Sequence, residues 1–182
     1  FALKTRRVKP AMMLPAPSTE LRRCRDLFTN AIRPLIIAGV DVLHHDAAQA
    51  VVNTIEKHKI PLITTYKAKG ILPEDHLLSL GCAGLSPKAD KILQPLIKES
   101  DLIILVGYDP IEMRSSWVAP WDLEKQVIEF SAVENLHYVH QSRFSFVGHV
   151  GAGLNSLVKG IRSKGVWPNM EPVHFRKIYK KN

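Results

Sequence analysis

Short apolar runs alternate along this chain with longer segments in which apolar residues recur every three or four positions. The runs are typical of strands covered on both faces, and the longer segments are typical of amphipathic helices. Strands are predicted over residues 34–38, 61–65, 77–80, 101–106, 126–130 and 144–147. Helices are predicted over residues 20–32, 45–58, 88–99 and 155–161, the last beginning near Gly151.

This alternation predicts an α/β fold, a Rossmann-like doubly wound domain of the kind that binds NAD or FAD. About six mostly parallel strands would form its sheet, with helices on both faces. We expect residues 1–18, which hold three prolines among basic residues, to be a linker. Residues 19–165 would form the domain, and residues 166–182 a basic linker or tail. Because the first residue is Phe1, we expect a fragment or a processed product.

Individual residues carry local predictions as well. Ser18 or Thr19 is expected to cap the first helix. Pro95 lies inside the helix over 88–99 and is expected to bend or interrupt it. Trp117 and Trp121 flank Pro120 in a loop, where packing or a subunit contact is the plainest role.

The net charge of +8 comes from the two ends of the chain. Ten of the 25 basic residues lie there, so the interior is near neutral and we expect no nucleic-acid partner. No apolar run approaches the roughly 20 residues that span a bilayer, so no membrane partner is expected either. The ten are Lys4, Arg6, Arg7, Lys9, Arg162, Lys164, Arg176, Lys177, Lys180 and Lys181.

Cys24 and Cys82 match no metal-ligand spacing, and the eight histidines form no His-x-x-x-His pair. We therefore expect no metal site and two free thiols in a reducing, cytoplasmic setting. The chain also lacks the Gly-x-Ser-x-Gly elbow, the phosphate-binding Gly-x-x-x-x-Gly-Lys-Ser/Thr loop and the full Gly-x-Gly-x-x-Gly fingerprint. Nucleophilic catalysis and the usual dinucleotide signal are thus unsupported.

Candidate chemistry lies where predicted strands end, because open α/β sheets bind ligands at the carboxyl ends of their strands. Small residues there would admit a phosphate or a flat ligand, or would serve tight turns only. Carboxylates would accept hydrogen bonds from a ribose or an adenine amine, or would cap the turn. Basic side chains would meet a diphosphate, or would be solvated surface charges. The candidates are Gly39, Val40, Lys67, Lys69, Gly81, Ala83, Gly84, Gly107, Asp109, Glu112 and Arg114.

Two stretches carry a family resemblance: Thr-Tyr-Lys-Ala-Lys-Gly-Ile-Leu-Pro-Glu-Asp-His over residues 65–76, and Val-Gly-Tyr-Asp-Pro-Ile-Glu over residues 106–112. They resemble the central domain of thiamine-diphosphate-dependent enzymes, and the acetolactate synthase large-subunit group is the nearest. The resemblance covers about residues 20–162.

The resemblance implies a parent enzyme of three domains that forms a homodimer or tetramer. The two flanking domains would bind thiamine diphosphate, one through its pyrimidine and the other through Mg²⁺ and its diphosphate. The central domain holds FAD in acetolactate synthase and pyruvate oxidase, ADP in oxalyl-CoA decarboxylase, and nothing in several decarboxylases. This chain has no Gly-Asp-Gly motif, so we expect the central domain of a 2-oxo acid decarboxylase or carboligase that is inactive alone.

Carried over by position, the resemblance implies that the family's FAD or ADP would lie against nine of the candidates. They are Gly39, Val40, Lys67, Gly81, Ala83, Gly84, Gly107, Asp109 and Glu112. The chain departs from the FAD-binding pattern at Tyr108, where those relatives have arginine, and at Glu129 and Ser131, where they have aspartates. Three alternatives therefore stay open: a nucleotide-binding or structural central domain, a free-standing FAD-, ADP- or NAD-binding module, and a non-catalytic assembly subunit.

Overall fold

The computed structural model describes residues 15–114, 117, 119–135, 139–140, 142–165, 167–170, 172 and 177. Within them, six strands form one sheet in the order β3-β2-β1-β4-β5-β6, and every neighbouring pair is parallel. This confirms the predicted Rossmann-like sheet. The strands are β1 Pro34–Ala38, β2 Leu62–Thr64, β3 Ser79–Cys82, β4 Leu102–Val106, β5 Val127–Ser131 and β6 Phe144–Val147.

The described helices follow the predicted order, with the short α2 added. They are α1 Thr19–Asn30, α2 Asp41–His44, α3 Ala48–His58, α4 Pro87–Glu99 and α5 Val150–Val158. Three 3₁₀ turns accompany them at Tyr66–Ala68, Pro110–Glu112 and Pro168–Met170. The helix predicted over 45–58 begins only at Ala48, because Asp46 takes a left-handed backbone conformation with φ of 53°, which aspartate tolerates. The short α2 precedes it and begins just after β1.

The local predictions met different outcomes. Ser18 caps α1 by accepting a hydrogen bond from the Leu21 amide at 3.1 Å, as predicted. Of the bend or interruption predicted at Pro95, the interruption is wrong, because α4 runs through it. Pro95 has no amide hydrogen, so the Lys91 carbonyl lacks its usual helical partner. Both residues are exposed, and water can therefore solvate that carbonyl. The predicted strand over 77–80 lies two residues later, at β3.

The centre of the sheet is buried on both faces because β1 and β4 carry apolar residues at every position. All five residues of β1 and of β4 are buried. Ile36 and Ile104 belong to a core formed with α1, α3 and α5, whereas Leu35 and Ile103 belong to a second core with α4. Trp117 lies in this second core with 1% of its surface exposed, which confirms a packing role.

The predicted ends of the domain fall largely outside the described residues. Residues 1–14 and most of 171–182 lie there, including seven of the ten terminal basic residues. Trp167, inside the predicted tail, is buried in the second core, and its indole nitrogen donates to the Pro34 carbonyl at 2.8 Å. Cys24 and Cys82 are both free thiols, as predicted. Among the described residues, no helix has the length and apolar character needed to cross a membrane.

Candidate functional site

The candidate site lies at the carboxyl edge of the sheet, between the turns that follow β1 and β4. The order of the strands reverses at this point, because β2 and β3 follow on one side of it and β5 and β6 on the other. Open α/β sheets form their ligand crevice at such a reversal. The structure therefore brings the candidates that follow β1, β2, β3 and β4 to the same edge of the sheet.

The turns after β1 and β4 are in direct backbone contact. The Gly39 amide donates to the Val106 carbonyl at 2.9 Å, and the Asp41 amide donates to the Gly107 carbonyl at 3.3 Å. A Cβ atom on Gly39 would lie 2.2 Å from the Gly107 oxygen. Gly107 has φ of +60°, and a Cβ there would lie 2.8 Å from the Val42 nitrogen. Because neither glycine has a side chain, the backbones of the two turns can pack directly against each other.

Glu112 crosses the crevice as a bridge between two turns. Asp109 caps the 3₁₀ turn Pro110–Glu112 by accepting from the Ile111 amide at 3.0 Å, which is the capping role predicted as one alternative. Beyond this turn, Glu112 Oε1 accepts from the Val40 amide at 3.2 Å, and Oε2 accepts from the Thr65 hydroxyl at 2.7 Å. One carboxylate therefore ties the segment after β4 to the ends of β1 and β2.

The Gly81–Gly84 loop is covered by the residue that follows Glu112. A Cβ atom on Gly84 would lie 1.9 Å from the Met113 sulfur, so the Met113 side chain occupies that space. The Gly84 carbonyl accepts from the Arg114 amide at 2.7 Å. The Gly84 amide donates to buried Asp90 at 2.6 Å, and burial raises the pKa of that carboxyl despite this bond. Ala83 is fully buried in the second core rather than facing a crevice.

Tyr108 points into a buried polar cluster. Its hydroxyl accepts from the Trp117 indole nitrogen at 3.1 Å and lies 2.9 Å from His140 Nδ1. His140 Nε2 lies 2.9 Å from the Trp117 carbonyl, which can only accept. Nε2 therefore carries the proton and donates, and Nδ1 accepts from the Tyr108 hydroxyl. Burial raises the pKa of Tyr108 far above its usual value, so it stays a neutral donor.

The basic candidates lie outside this network. Lys67 is exposed on the 3₁₀ turn after β2. Lys69 is also exposed, and its ammonium pairs with Glu74 at 2.8 Å. Burial raises the pKa of the Cys82 thiol, and Asp90 and Glu112 add to this while Lys69 opposes it. Cys82 is therefore a neutral thiol and a poor nucleophile.

Sequence reasoning did not select Met113 or Thr65, and it named Glu129 only as a departure from the FAD-binding pattern. Glu129 on β5 is buried, and its carboxylate accepts from Asn135 at 3.1 Å and Ser142 at 2.7 Å. A charged residue inside an apolar strand was the available signal, because buried carboxylates require hydrogen-bond donors. Within the part of the chain that the structure describes, no group of three His, Cys, Asp or Glu side chains could hold a metal ion.

These contacts do not fit a bound diphosphate. Glu112 already uses the Val40 amide and the Thr65 hydroxyl, which are donors that a phosphate would need. A phosphate in their place would also lie beside the negative charge of Glu112. Over Gly84, the Met113 side chain takes the space that a flat ring would require. The arrangement supports rigid packing of the four strand ends against one another.

Comparison with known proteins gives a consistent set of relatives. Residues 21–157 match the family described as the central domain of thiamine pyrophosphate enzymes. The acetolactate synthase large subunit IlvG of Mycobacterium tuberculosis is 30% identical over 121 residues, which are 66% of this chain and 20% of that protein. Glyoxylate carboligase of Escherichia coli O157:H7 is 30% identical over 99 residues, 54% of this chain and 16% of that protein.

A solved structure agrees with the fold. It is that of a Mycobacterium smegmatis protein assigned as a thiamin diphosphate-dependent enzyme, and it has a TM-score of 0.67 at 19% identity. The similarity covers 91% of this chain and 31% of that one. The chain thus spans only a fifth or less of the two curated relatives named above. With the family match extending over most of its length, this chain belongs to the family of central domains of thiamine pyrophosphate enzymes.

Proposed function

We propose that this chain is the positioning domain of a thiamine-diphosphate-dependent 2-oxo acid decarboxylase or carboligase that resembles acetolactate synthase. The whole enzyme would be a cytoplasmic transferase or lyase that forms a homodimer or tetramer. Its two flanking domains would bind thiamine diphosphate and Mg²⁺. The central domain would set the distance and orientation between them, and would not catalyse the reaction alone.

The Glu112 bridge is the observation that carries this proposal. It joins the segment after β4 to the ends of β1 and β2 through two hydrogen bonds to a carboxylate. Such charge-assisted bonds are roughly twice as strong as neutral ones. A domain whose strand ends are held together by its own side chains keeps its shape without a ligand, as a spacer between two catalytic domains must.

The alternative is a central domain that binds FAD or ADP against the nine residues carried over from the resemblance. The same contacts count against it. Glu112 would repel a phosphate at Val40, and Met113 would have to leave Gly84 before a ring could approach. We therefore propose that Gly39, Gly84 and Gly107 serve packing within the domain and that Asp109 and Glu112 serve as internal hydrogen-bond acceptors.

A turnover assay tests whether the central domain is inactive without the flanking domains. The purified 182-residue chain is incubated with pyruvate, thiamine diphosphate and Mg²⁺, and carbon dioxide and acetolactate are measured. We expect no turnover above the protein-free control, because the chain lacks the Gly-Asp-Gly motif that the resemblance assigns to diphosphate binding. Turnover that rises in proportion to the chain would contradict the proposal.

A further inference from the structure

Two imidazole rings hold the N-terminus of α5. His149 is the N-cap residue, and its Nδ1 accepts from the Ala152 amide at 3.2 Å. His45 comes from the other side, just after α2, and its Nδ1 accepts from the Val150 amide at 3.2 Å. The two rings are stacked, with centroids 4.9 Å apart and planes inclined by 29°. Side chains from two separate segments thus satisfy two free amides of one helix end.

Both contacts require neutral rings. A ring nitrogen can accept a hydrogen bond only while its lone pair is free, so Nδ1 of His45 and of His149 must be unprotonated and Nε2 must carry the hydrogen. A protonated imidazole donates from both nitrogens and would face the Val150 or Ala152 amide with a second donor. Two protonated rings at this spacing would also repel each other and the positive end of the helix dipole.

The charged groups around His45 oppose protonation on balance. Burial lowers the pKa of His45, and the neighbouring His149 and His44 lower it further. Asp41, which lies on α2 and contacts His44 Nδ1 at 3.0 Å, acts in the opposite direction. In the unfolded chain His45 has an ordinary pKa of about 6.5, so it binds a proton at a higher pH than in the folded chain. Folding stability is therefore lost as the pH falls below about 6.5.

The rest of α5 is attached by groups that keep their state over this pH range. A Cβ atom on Gly151 would lie 2.8 Å from the Ala47 Cβ, so the helix packs closely against α3. At the other end, the Arg25 guanidinium donates to the Ser156 carbonyl at 2.7 Å and to the Leu157 carbonyl at 3.0 Å. Arginine stays charged at all these pH values. The N-terminus is therefore the end of α5 whose attachment a proton can change.

We propose that His45 and His149 form a clamp on α5 that a proton opens at His45. With its rings neutral, the clamp holds the first turn of the helix against α2 and α3. When a proton from solvent binds Nδ1 of His45, that ring releases the Val150 amide and the first turn opens. The C-terminus of the helix stays attached through Arg25. This property belongs to the domain itself and does not depend on the proposed enzymatic role.

Amide hydrogen exchange tests the clamp in the full chain. Protection of the Val150 and Ala152 amides, corrected for intrinsic exchange, is measured between pH 7.5 and 5.5. The Leu157 amide, later in the same helix, serves as the internal reference for global unfolding. Because one N-cap contributes about a fivefold change, we expect protection of the Val150 amide, which donates to His45, to fall by about that factor relative to Leu157.

A double variant, His45→Asn with His149→Asn, is the matched control. Asparagine offers an amide oxygen in place of Nδ1 and caps helices well, but it does not titrate in this range. The difference in protection between pH 7.5 and 5.5 should disappear in this variant. A wild-type profile that is flat, or a pH dependence that survives in the double variant, would overturn the proposal.

A second measurement serves if the double variant does not fold. Nitrogen-15 chemical shifts of the wild-type imidazoles distinguish the two neutral tautomers directly. We expect hydrogen on Nε2 in both His45 and His149 at pH 7.5. Hydrogen on Nδ1 of either ring at that pH would overturn the clamp, because that nitrogen could not accept from α5.

Discussion

Replacing Gly39 with alanine tests whether the turns after β1 and β4 are in contact. The new Cβ atom would lie 2.2 Å from the Gly107 oxygen and 2.6 Å from the Tyr108 Cα, whereas real contacts of this kind stay beyond 3.0 Å. Both obstacles are backbone atoms, so no side-chain rotation relieves them. The two turns would have to separate by about 0.8 Å, and the five paired residues of β1 and β4 oppose that movement.

Overpacking of this kind costs about 1–3 kcal/mol where side chains can adjust, and more where they cannot. We expect Gly39→Ala to lower the free energy of unfolding by about 3 kcal/mol or more. With a urea m-value of about 2 kcal/mol/M, the unfolding midpoint would fall by about 1.5 M.

Gly70→Ala is the matched control for this substitution. Gly70 has φ of +97° and nothing within 4 Å of its Cβ position, so the variant carries left-handed backbone strain alone. That strain should lower the free energy of unfolding by about 1 kcal/mol. If Gly39→Ala proves no more destabilising than Gly70→Ala in urea titrations, the two strand-end turns are not in contact and the packed crevice is wrong.

Three further predictions rest on particular contacts. His58 is fully buried against Phe28 with both ring nitrogens unpaired, and burial, then Lys57 and Lys164, lowers its pKa to about 4. Stability should therefore fall by up to about 3 kcal/mol as the pH drops from about 6.5 to 4, and urea titrations of His58→Leu should lack this fall. Tyr108→Phe should lower the free energy of unfolding by about 1–3 kcal/mol, because Trp117 and His140 lose their shared hydrogen-bond partner. A decrease below about 0.5 kcal/mol would contradict this hydrogen-bonded cluster. Glu112→Ala and Thr65→Val should show a coupling free energy of about 1.5–3 kcal/mol in a double-mutant cycle, and strict additivity would refute the bridge.

The sequence patterns predicted the fold because the signals are local. The apolar runs of β1 and β4 and the helical spacing in α1, α3 and α4 each lie within a dozen residues, and the structure confirms the strands and helices they indicate. The short α2 and the later start of α3 were missed because they depend on one backbone angle at Asp46. The interruption at Pro95 was wrongly predicted because a proline on an exposed helix face is tolerated when water solvates the freed carbonyl.

The candidate site was predicted only as a location. The strand-end positions of Gly39, Gly107 and Glu112 follow from the pattern, and the structure places them at one edge of the sheet. The partners of Glu112 do not follow from it, because Val40 lies 72 residues away along the chain and Thr65 lies 47 away. Contacts over such distances depend on the assembled sheet, so a carboxylate that binds a ligand and one that binds its own backbone look alike in sequence.

Calorimetric titration of the purified chain with FAD and ADP tests the central claim most directly. The claim is that Glu112 and Met113 fill the crevice of this central domain, so that it keeps its structure without a nucleotide. We predict no saturable heat for either compound up to about 1 mM, which corresponds to a binding free energy weaker than about −4 kcal/mol. Saturable 1:1 binding of FAD or ADP at micromolar concentrations would contradict the account.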